Sequence, residues 1–185
     1  MHALVADDDP IAARALRSLV EAAGHTVDSA EDGLRAWELF AERRHALVIT
    51  DWMMPRLDGT GLCRRIREHD AAHGSYAYVL LVTARSERAD RLEALDAGVD
   101  DFLSKPLDAV DFKARLRAGE RILSYQRSLA DANAQLREHQ ASQRRQAAML
   151  DAALSHSVAL VTALREQQAA ILVATDVAAR ADAAA

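Results

Sequence analysis

The amino-acid sequence predicts an α/β fold, a doubly wound five-stranded parallel sheet, followed by a long helical extension. Three observations carry that expectation. Five short apolar runs, "ALVA" (3–6), "TVDSA" (26–30), "ALVIT" (46–50), "YVLLVT" (78–83) and "DFL" (101–103), alternate with helical patterns as far as residue 107. Strands alternating with helices indicate a parallel sheet covered on both faces. The continuous β-branched pair Val48–Ile49 suits a strand buried on both sides. Beyond Asp108 the texture changes: there is no proline, and Gly119 is the only glycine.

The elements follow in order. After the first run, Asp9 before Pro10 is good helix-starting chemistry, and Ile11–Ala23 has apolar residues at spacings of three and four. The same spacing recurs over Leu34–Arg43, Thr60–His69 and Ser86–Ala97. Gly24 and Gly98 follow two of these patterns, as helix-ending glycines do. Pro55 and Gly59 mark a loop between the third strand and the next helix. From residue 113 a heptad register is legible, with d positions at Ile122, Leu129, Leu136, Gln143, Leu150, Ser157, Leu164 and Ile171. The a positions are Gln126, Asn133, Gln140, Ala147, Leu154, Val161 and Gln168. So long and polar a helix is unstable alone and is expected to pair with another. Asn133 at an a position favours a parallel, in-register dimer. Gln140 and Gln143 make a weak middle, read as a break or an antiparallel fold-back, and "AARADAAA" reads as a frayed end. The plainer reading of this segment is a solvated helical tail.

Composition removes several function classes. The net charge is −5 over 185 residues, with 13 basic and 19 acidic side chains in residues 1–107 and 10 and 9 beyond. Neither part is the basic surface of a nucleic-acid binder. No unbroken run of 18 apolar residues and no signal-like start argue against a membrane span or export. The single Cys63 excludes an internal disulfide and a cysteine metal cluster, and a cytoplasmic setting is expected. The histidines His2, His25, His45, His69, His73 and His139 are scattered, without ligand spacing, and His156 is expected on a helix surface or seam.

The strand ends carry the chemistry. Three consecutive carboxylates, Asp7, Asp8 and Asp9, repel one another unless a positive group sits among them. Capping accounts for Asp9 but not for its two neighbours. The third and fourth runs end in Asp51 and Thr83, and the fifth is followed by "SKP" with Lys105. In an open parallel sheet these ends converge on one edge. Hard oxygen ligands suit Mg2+, a lysine supplies a point charge, and a threonine hydroxyl can donate to a phosphoryl oxygen. An exposed aspartate in such a site can form an acyl phosphate.

On these residues the sequence resembles the receiver domain of bacterial two-component response regulators. The acidic pair matches Asp7 and Asp8, the phosphoacceptor Asp51 in "DWMMPRLDG", the signalling Ser/Thr position Thr83 in "LLVTA", and the lysine Lys105 in "DDFLSKP". The resemblance implies a flavodoxin-like sheet of order 2-1-3-4-5, with a receiver over residues 1–120 and a helical coiled-coil extension over 121–185. It implies Mg2+ held by Asp7, Asp8, Asp51 and the Met53 carbonyl, a cis bond between Lys105 and Pro106, and a switch pair of Thr83 and Phe102. It also implies a histidine kinase or phosphotransfer protein as phosphodonor and no enzyme activity beyond handling the protein's own phosphoryl group. Met54 is read as packing, Trp37 and Trp52 as packing or surface residues, with Trp52 a partial shield of Asp51, and Arg85 as an influence on hydrolysis.

Three outputs compete: a phosphorylation switch acting through a homodimeric coiled coil, the regulatory part of a diguanylate cyclase, and an adaptor whose tail binds a partner helix. The segment "RARLRAGERILSYQRSLADANAQLREH" resembles the signalling helix that precedes cyclase domains, but neither "GGDEF" nor "GGEEF" follows it.

Overall fold

The computed structural model describes residues 1–84 and 88–182, with side chains at 88, 91 and 170–182 left aside. Five strands, β1 (His2–Ala6), β2 (Thr26–Ala30), β3 (Leu47–Asp51), β4 (Tyr78–Thr83) and β5 (Asp101–Ser104), form one parallel sheet of order β2-β1-β3-β4-β5. Between them run α1 (Pro10–Ala22), α2 (Gly33–Arg43), α3 (Gly59–His73) and α4 (Arg88–Asp96), and α5 (Ala109–Asp182) follows β5. The expected fold class and strand order are those observed.

Alternation along each strand divides the core in two, because successive side chains point to opposite faces. Ala3, Val5, Leu47, Ile49, Tyr78, Leu80 and Val82 face a cluster completed by Leu16 and Val20 of α1 and by Phe112, Leu116 and Leu123 of α5. Leu4, Ala6, Val48, Val79 and Leu81 face the other, with residues of α2, α3 and α4. Met54 and Trp52 are buried in that second cluster, so Met54 packs as expected while Trp52 is a core residue and not a surface one. Trp37 and Phe102 pack against its margin.

Most helix ends lie within a residue or two of their sequence-based bounds, and the third and last helices depart most from expectation. The third continues beyond His69 to His73 and ends at Gly74 in the left-handed conformation. Apolar periodicity missed its last turn because Asp70, on the inner side, is buried and polar. Its carboxylate accepts from the Ala77 amide at 2.9 Å and the Ser75 hydroxyl at 2.7 Å, fastening the helix end to the start of β4. The last helix runs without interruption through Gln140 and Gln143, so neither the break nor the fold-back occurs. Polar seam residues weaken pairing between helices but do not break the backbone ladder of one helix, and Gln is a good helix former.

Met1–Leu129 is one compact unit and Ala130–Ala185 another. The first reaches past residue 120 because Leu123 is buried against the sheet. In the second, Leu136, Met149, Leu150, Leu154, Val158, Leu160, Val161 and Leu164 are exposed on the single chain. Within Ala109–Ala169 an 18-residue window reaches a mean hydropathy of 1.5, enough by length and composition to cross a membrane. A search for unbroken apolar runs overlooks this window because polar residues such as Asp151, Ser155 and His156 interrupt it.

Candidate functional site

Register alone brings the expected residues together. Ala6 pairs with Thr50, so Asp7 and Asp51, each one step further, emerge side by side. Asp51 pairs with Val82, which puts Thr83 next along, and Thr83 pairs with Ser104, just before Lys105. The Lys105 amide donates to the Thr83 carbonyl at 2.7 Å, which extends the β4–β5 ladder to the lysine. The Lys105–Pro106 bond is cis, as the resemblance implies.

Asp7, Asp8 and Asp51 each bring a carboxylate oxygen within 4.8 Å of the other two. Asp7 is buried with both oxygens engaged: Oδ1 accepts from the Asp9 amide at 3.0 Å and Oδ2 from Lys105 Nζ at 3.1 Å. The same ammonium lies 3.2 Å from Asp51 Oδ1. Asp8 is exposed, Thr83 is buried, and Asp51 retains 7% exposure. Asp9 caps α1, accepting from the Ile11 amide at 2.9 Å. Burial is the largest influence on Asp51 and lifts its carboxyl above the ordinary value; Lys105 opposes this and Asp7 adds to it. For Lys105 burial works against the charge, but Asp7 and Asp51 outweigh it and raise the ammonium above its usual value.

Among the described residues three carboxylates face one ammonium, which leaves the cluster short of positive charge. Its donors are hard oxygens, and one carboxylate is open to solvent, so the residues fit a small divalent cation of the magnesium type.

The loop after Asp51 is clamped to the strand. The Trp52 amide donates to the Val82 carbonyl at 3.2 Å, and the Gly59 amide returns to the Trp52 carbonyl at 2.8 Å. A Cβ on Gly59 would stand 2.2 Å from the Asp51 carbonyl oxygen, so only glycine lets α3 begin here. Asp58 caps that helix, accepting from the Gly61 amide at 2.7 Å. Met53 is exposed in the loop. Phe102 stands on β5 beside β4, half-buried against the cluster that includes Leu81. Arg85 lies outside the described residues, and His156 is exposed on α5.

Several residues were not anticipated. Arg56, at positive φ in the loop, pairs with Asp32, which caps α2. With Arg14, Arg17 and Arg35 it lines a cavity of about 760 Å³ that opens beside Asp7 and Asp8. The Asp32 signal was legible as an acidic residue just before a helical pattern, but its partner depends on loop conformation. The histidines also prove less scattered than their spacing suggests. His69 and His73 stack at 4.0 Å, and His2 and His45 both reach Asp28.

A model of the response regulator receiver domain matches residues 3–117. The response regulator MprA of Mycobacterium sp. (strain KMS) is 41% identical over 115 residues, 62% of this chain and 48% of the relative. That of Mycobacterium leprae is 39% identical over 118 residues, 64% and 50% of the two chains. This chain thus aligns with about half the length of those curated relatives. Among solved structures, the Francisella response regulator 1452 receiver domain is similar with a TM-score of 0.59 and 29% identity, covering 65% of this chain and 96% of that one. A two-component response regulator from Clostridium difficile gives 0.60 and 26%, covering 65% and 96%. The matched span holds all five strands and the carboxylate edge they build, and through it the chain belongs to the response regulator receiver domains of two-component systems.

Proposed function

We propose that the chain is a phosphorylation-dependent switch whose phosphoacceptor is Asp51, charged by a histidine kinase or phosphotransfer protein and read out through α5. The observation that carries this is Lys105, whose ammonium lies 3.1 Å from Asp7 and 3.2 Å from Asp51. A strand-end carboxylate held by Lys105 and the Trp52 amide would present an oxygen for attack. That oxygen would form a bond to the phosphorus of a phosphohistidine as the phosphorus–nitrogen bond breaks, and the departing imidazole keeps the electron pair and takes up a proton. Asp8, Asp51 and the Met53 carbonyl would hold Mg2+, with Asp7 organising them from behind; when bound, the ion neutralises charge between carboxylate and phosphoryl group. Lys105 would pair with the phosphoryl oxygens, and the Thr83 hydroxyl would donate to another.

Thr83 and Phe102 are the proposed switch. A threonine drawn toward the phosphoryl group vacates space beside β4 that the aromatic ring fills, which shifts the population between two packings. Phe102 has no hydroxyl to hold it at the surface, so the inward position costs it less than it would a tyrosine.

The output proposed is a parallel homodimer through residues about 113–172, whose register or pairing changes on phosphorylation. Exposed apolar side chains at the a and d positions Leu129, Leu136, Leu150, Leu154, Val161 and Leu164 support it. Incubation of the full chain with acetyl phosphate or beryllofluoride, with and without Mg2+, tests the acceptor. Asp51→Asn should abolish labelling; unchanged labelling of that variant in the presence of Mg2+ would overturn the assignment.

A further inference from the structure

At the amino-terminal ends of the strands, across the sheet from Asp51, three side chains from separate segments meet. His2 opens β1, Asp28 stands in β2, and His45 precedes β3. The Nε2 atoms of His2 and His45 lie 3.0 and 2.9 Å from the same oxygen, Asp28 Oδ2. One donor atom from each residue falls within 4.8 Å of the other two. The two rings meet edge to face with centroids 4.8 Å apart, so both nitrogens approach the carboxylate from different directions.

We propose that His2, Asp28 and His45 form a binding site for a divalent transition-metal ion of the zinc class, independent of the carboxylate site at the other edge. Two imidazoles and one carboxylate are borderline donors that favour zinc, nickel or copper over magnesium. Donors arranged tetrahedrally at zinc bond lengths stand about 3.3 Å apart. The observed 2.9 and 3.0 Å therefore need to open by a few tenths of an ångström, and the two imidazole donors, within 4.8 Å of each other, need to settle near the same separation to admit an ion. Access is one-sided: the His45 side chain is fully buried, Asp28 is mostly buried, and His2 is 45% exposed. The fourth position thus faces solvent, where water completes the shell.

Packing alone does not call for a histidine at 45. Its Nδ1 is buried without a hydrogen-bond partner, so its polar contact is made through Nε2 to Asp28. Arg43 is the opposing charge, with Nη1 at 2.9 and 2.8 Å from the two Asp28 oxygens. Its side chain is 48% exposed and can retain Oδ1 while Oδ2 turns to the ion, an outer contact of the kind that orients metal-binding carboxylates. Bound there, the ion would join β1, β2 and the start of β3, and it would raise stability by mass action because the unfolded chain offers no such arrangement.

The test is titration of the full chain with Zn2+, and separately with Co2+, in saturating Mg2+. The readouts are stoichiometry, the cobalt absorption spectrum and the melting temperature. One tightly held ion per chain with a tetrahedral cobalt spectrum is expected. His2→Ala, at an exposed position that leaves the core intact, should weaken binding at least tenfold, and Asp28→Asn likewise. Arg43→Gln should strengthen it several-fold by removing the competing cation, an effect that loss of a structural ion pair would not produce. Absence of tight binding would overturn the proposal. So would binding that His2→Ala and Asp28→Asn leave unchanged, which would assign the ion to other histidines such as His69 and His73.

Discussion

Asp51 pays for its position in stability, and this gives it a pH signature. Its carboxyl lies above the ordinary value of 3.8, chiefly through burial, so the folded state holds the proton more readily than the unfolded one. Ionised Asp51 therefore opposes folding at pH values above its raised value, and the penalty vanishes once the pH falls below the unfolded value. Asp51→Asn should melt higher than the wild type at pH 7 without divalent ions, each kcal/mol of relief reading as roughly 2–4 °C in a chain of this size. The gap should close on acidification; a gap constant down to pH 3.5 would rule this out. Excess Mg2+ should shrink it too, because the ion stabilises the wild type by binding. Trp52, buried beside Asp51, should report that binding by fluorescence, and Asp8→Ala should weaken it tenfold or more. Equal affinity in Asp8→Ala would remove the exposed carboxylate from the ion site. The five residues Asp7, Asp8, Asp51, Thr83 and Lys105 were legible because each ends or follows an apolar run, and parallel strands bring such ends together. The trio of His2, Asp28 and His45 was not. It exists only because β1 lies between β2 and β3, an adjacency that spacing along the chain does not encode.

Elements pack tightly at two glycines, Gly119 and Gly59, and there magnitudes decide the outcome. Gly119 lies inside α5, where alanine would gain about 1 kcal/mol in helix propensity. A Cβ at that position would, however, stand 2.6 Å from Cε1 of Tyr78, whose ring is fully buried and has little room to yield. Overpacking of this kind costs about 1–3 kcal/mol. Gly119→Ala should therefore lower the denaturant midpoint, through a net loss of stability of up to about 2 kcal/mol. A stabilised variant would mean that α5 sits further from the sheet. Gly59→Ala is harsher, since its Cβ would meet the Asp51 carbonyl at 2.2 Å and two backbones would have to part. Besides unfolding earlier, it should phosphorylate poorly, because the displaced peptide belongs to the proposed acceptor, Asp51. Element types and order were legible throughout, as alternating apolar runs and helical spacings demand. Ends were less so. The last turn of α3 hides behind Asp70, a polar residue that faces inward to bind the next strand's backbone, and a pattern of apolar residues carries no trace of that function. Gly119, by contrast, stood out as the lone glycine, yet its reason lies in Tyr78, remote in sequence.

At the scale of the whole molecule the question is what covers the exposed apolar side chains of α5. Leu129 and Leu136 fall at d positions among polar a residues, Gln126, Asn133 and Gln140, the arrangement of a narrow seam that specifies register at a cost in stability. From residue 147 the pattern is richer, with Leu150, Leu154, Val161 and Leu164 on the seam and Val158 and Leu160 flanking it, all exposed. In the proposed dimer a second copy would supply the complementary stripe at the same height, and Asn133 opposite Asn133 would satisfy both amides only with the helices parallel and in register. The full chain should accordingly be a dimer at tens of micromolar by light scattering. A chain ending at Leu129, which keeps Leu123 and the whole compact unit, should be monomeric or far weaker in association. Leu136→Cys should crosslink readily under mild oxidation, as a parallel seam requires, and beryllofluoride should change its rate if the switch reaches the helix. A monomeric full chain, phosphorylated or not, would favour the adaptor reading, in which a partner's helix covers the stripe. Co-sedimentation of the full chain with lipid vesicles, lost on truncation at Leu129, would instead assign the 18-residue window of mean hydropathy 1.5 to a bilayer. The dimer is favoured over both because the a and d spacing persists on either side of Gln140 and Gln143 within one unbroken helix. A bilayer or an unrelated groove has no need of a register kept in phase across that polar stretch.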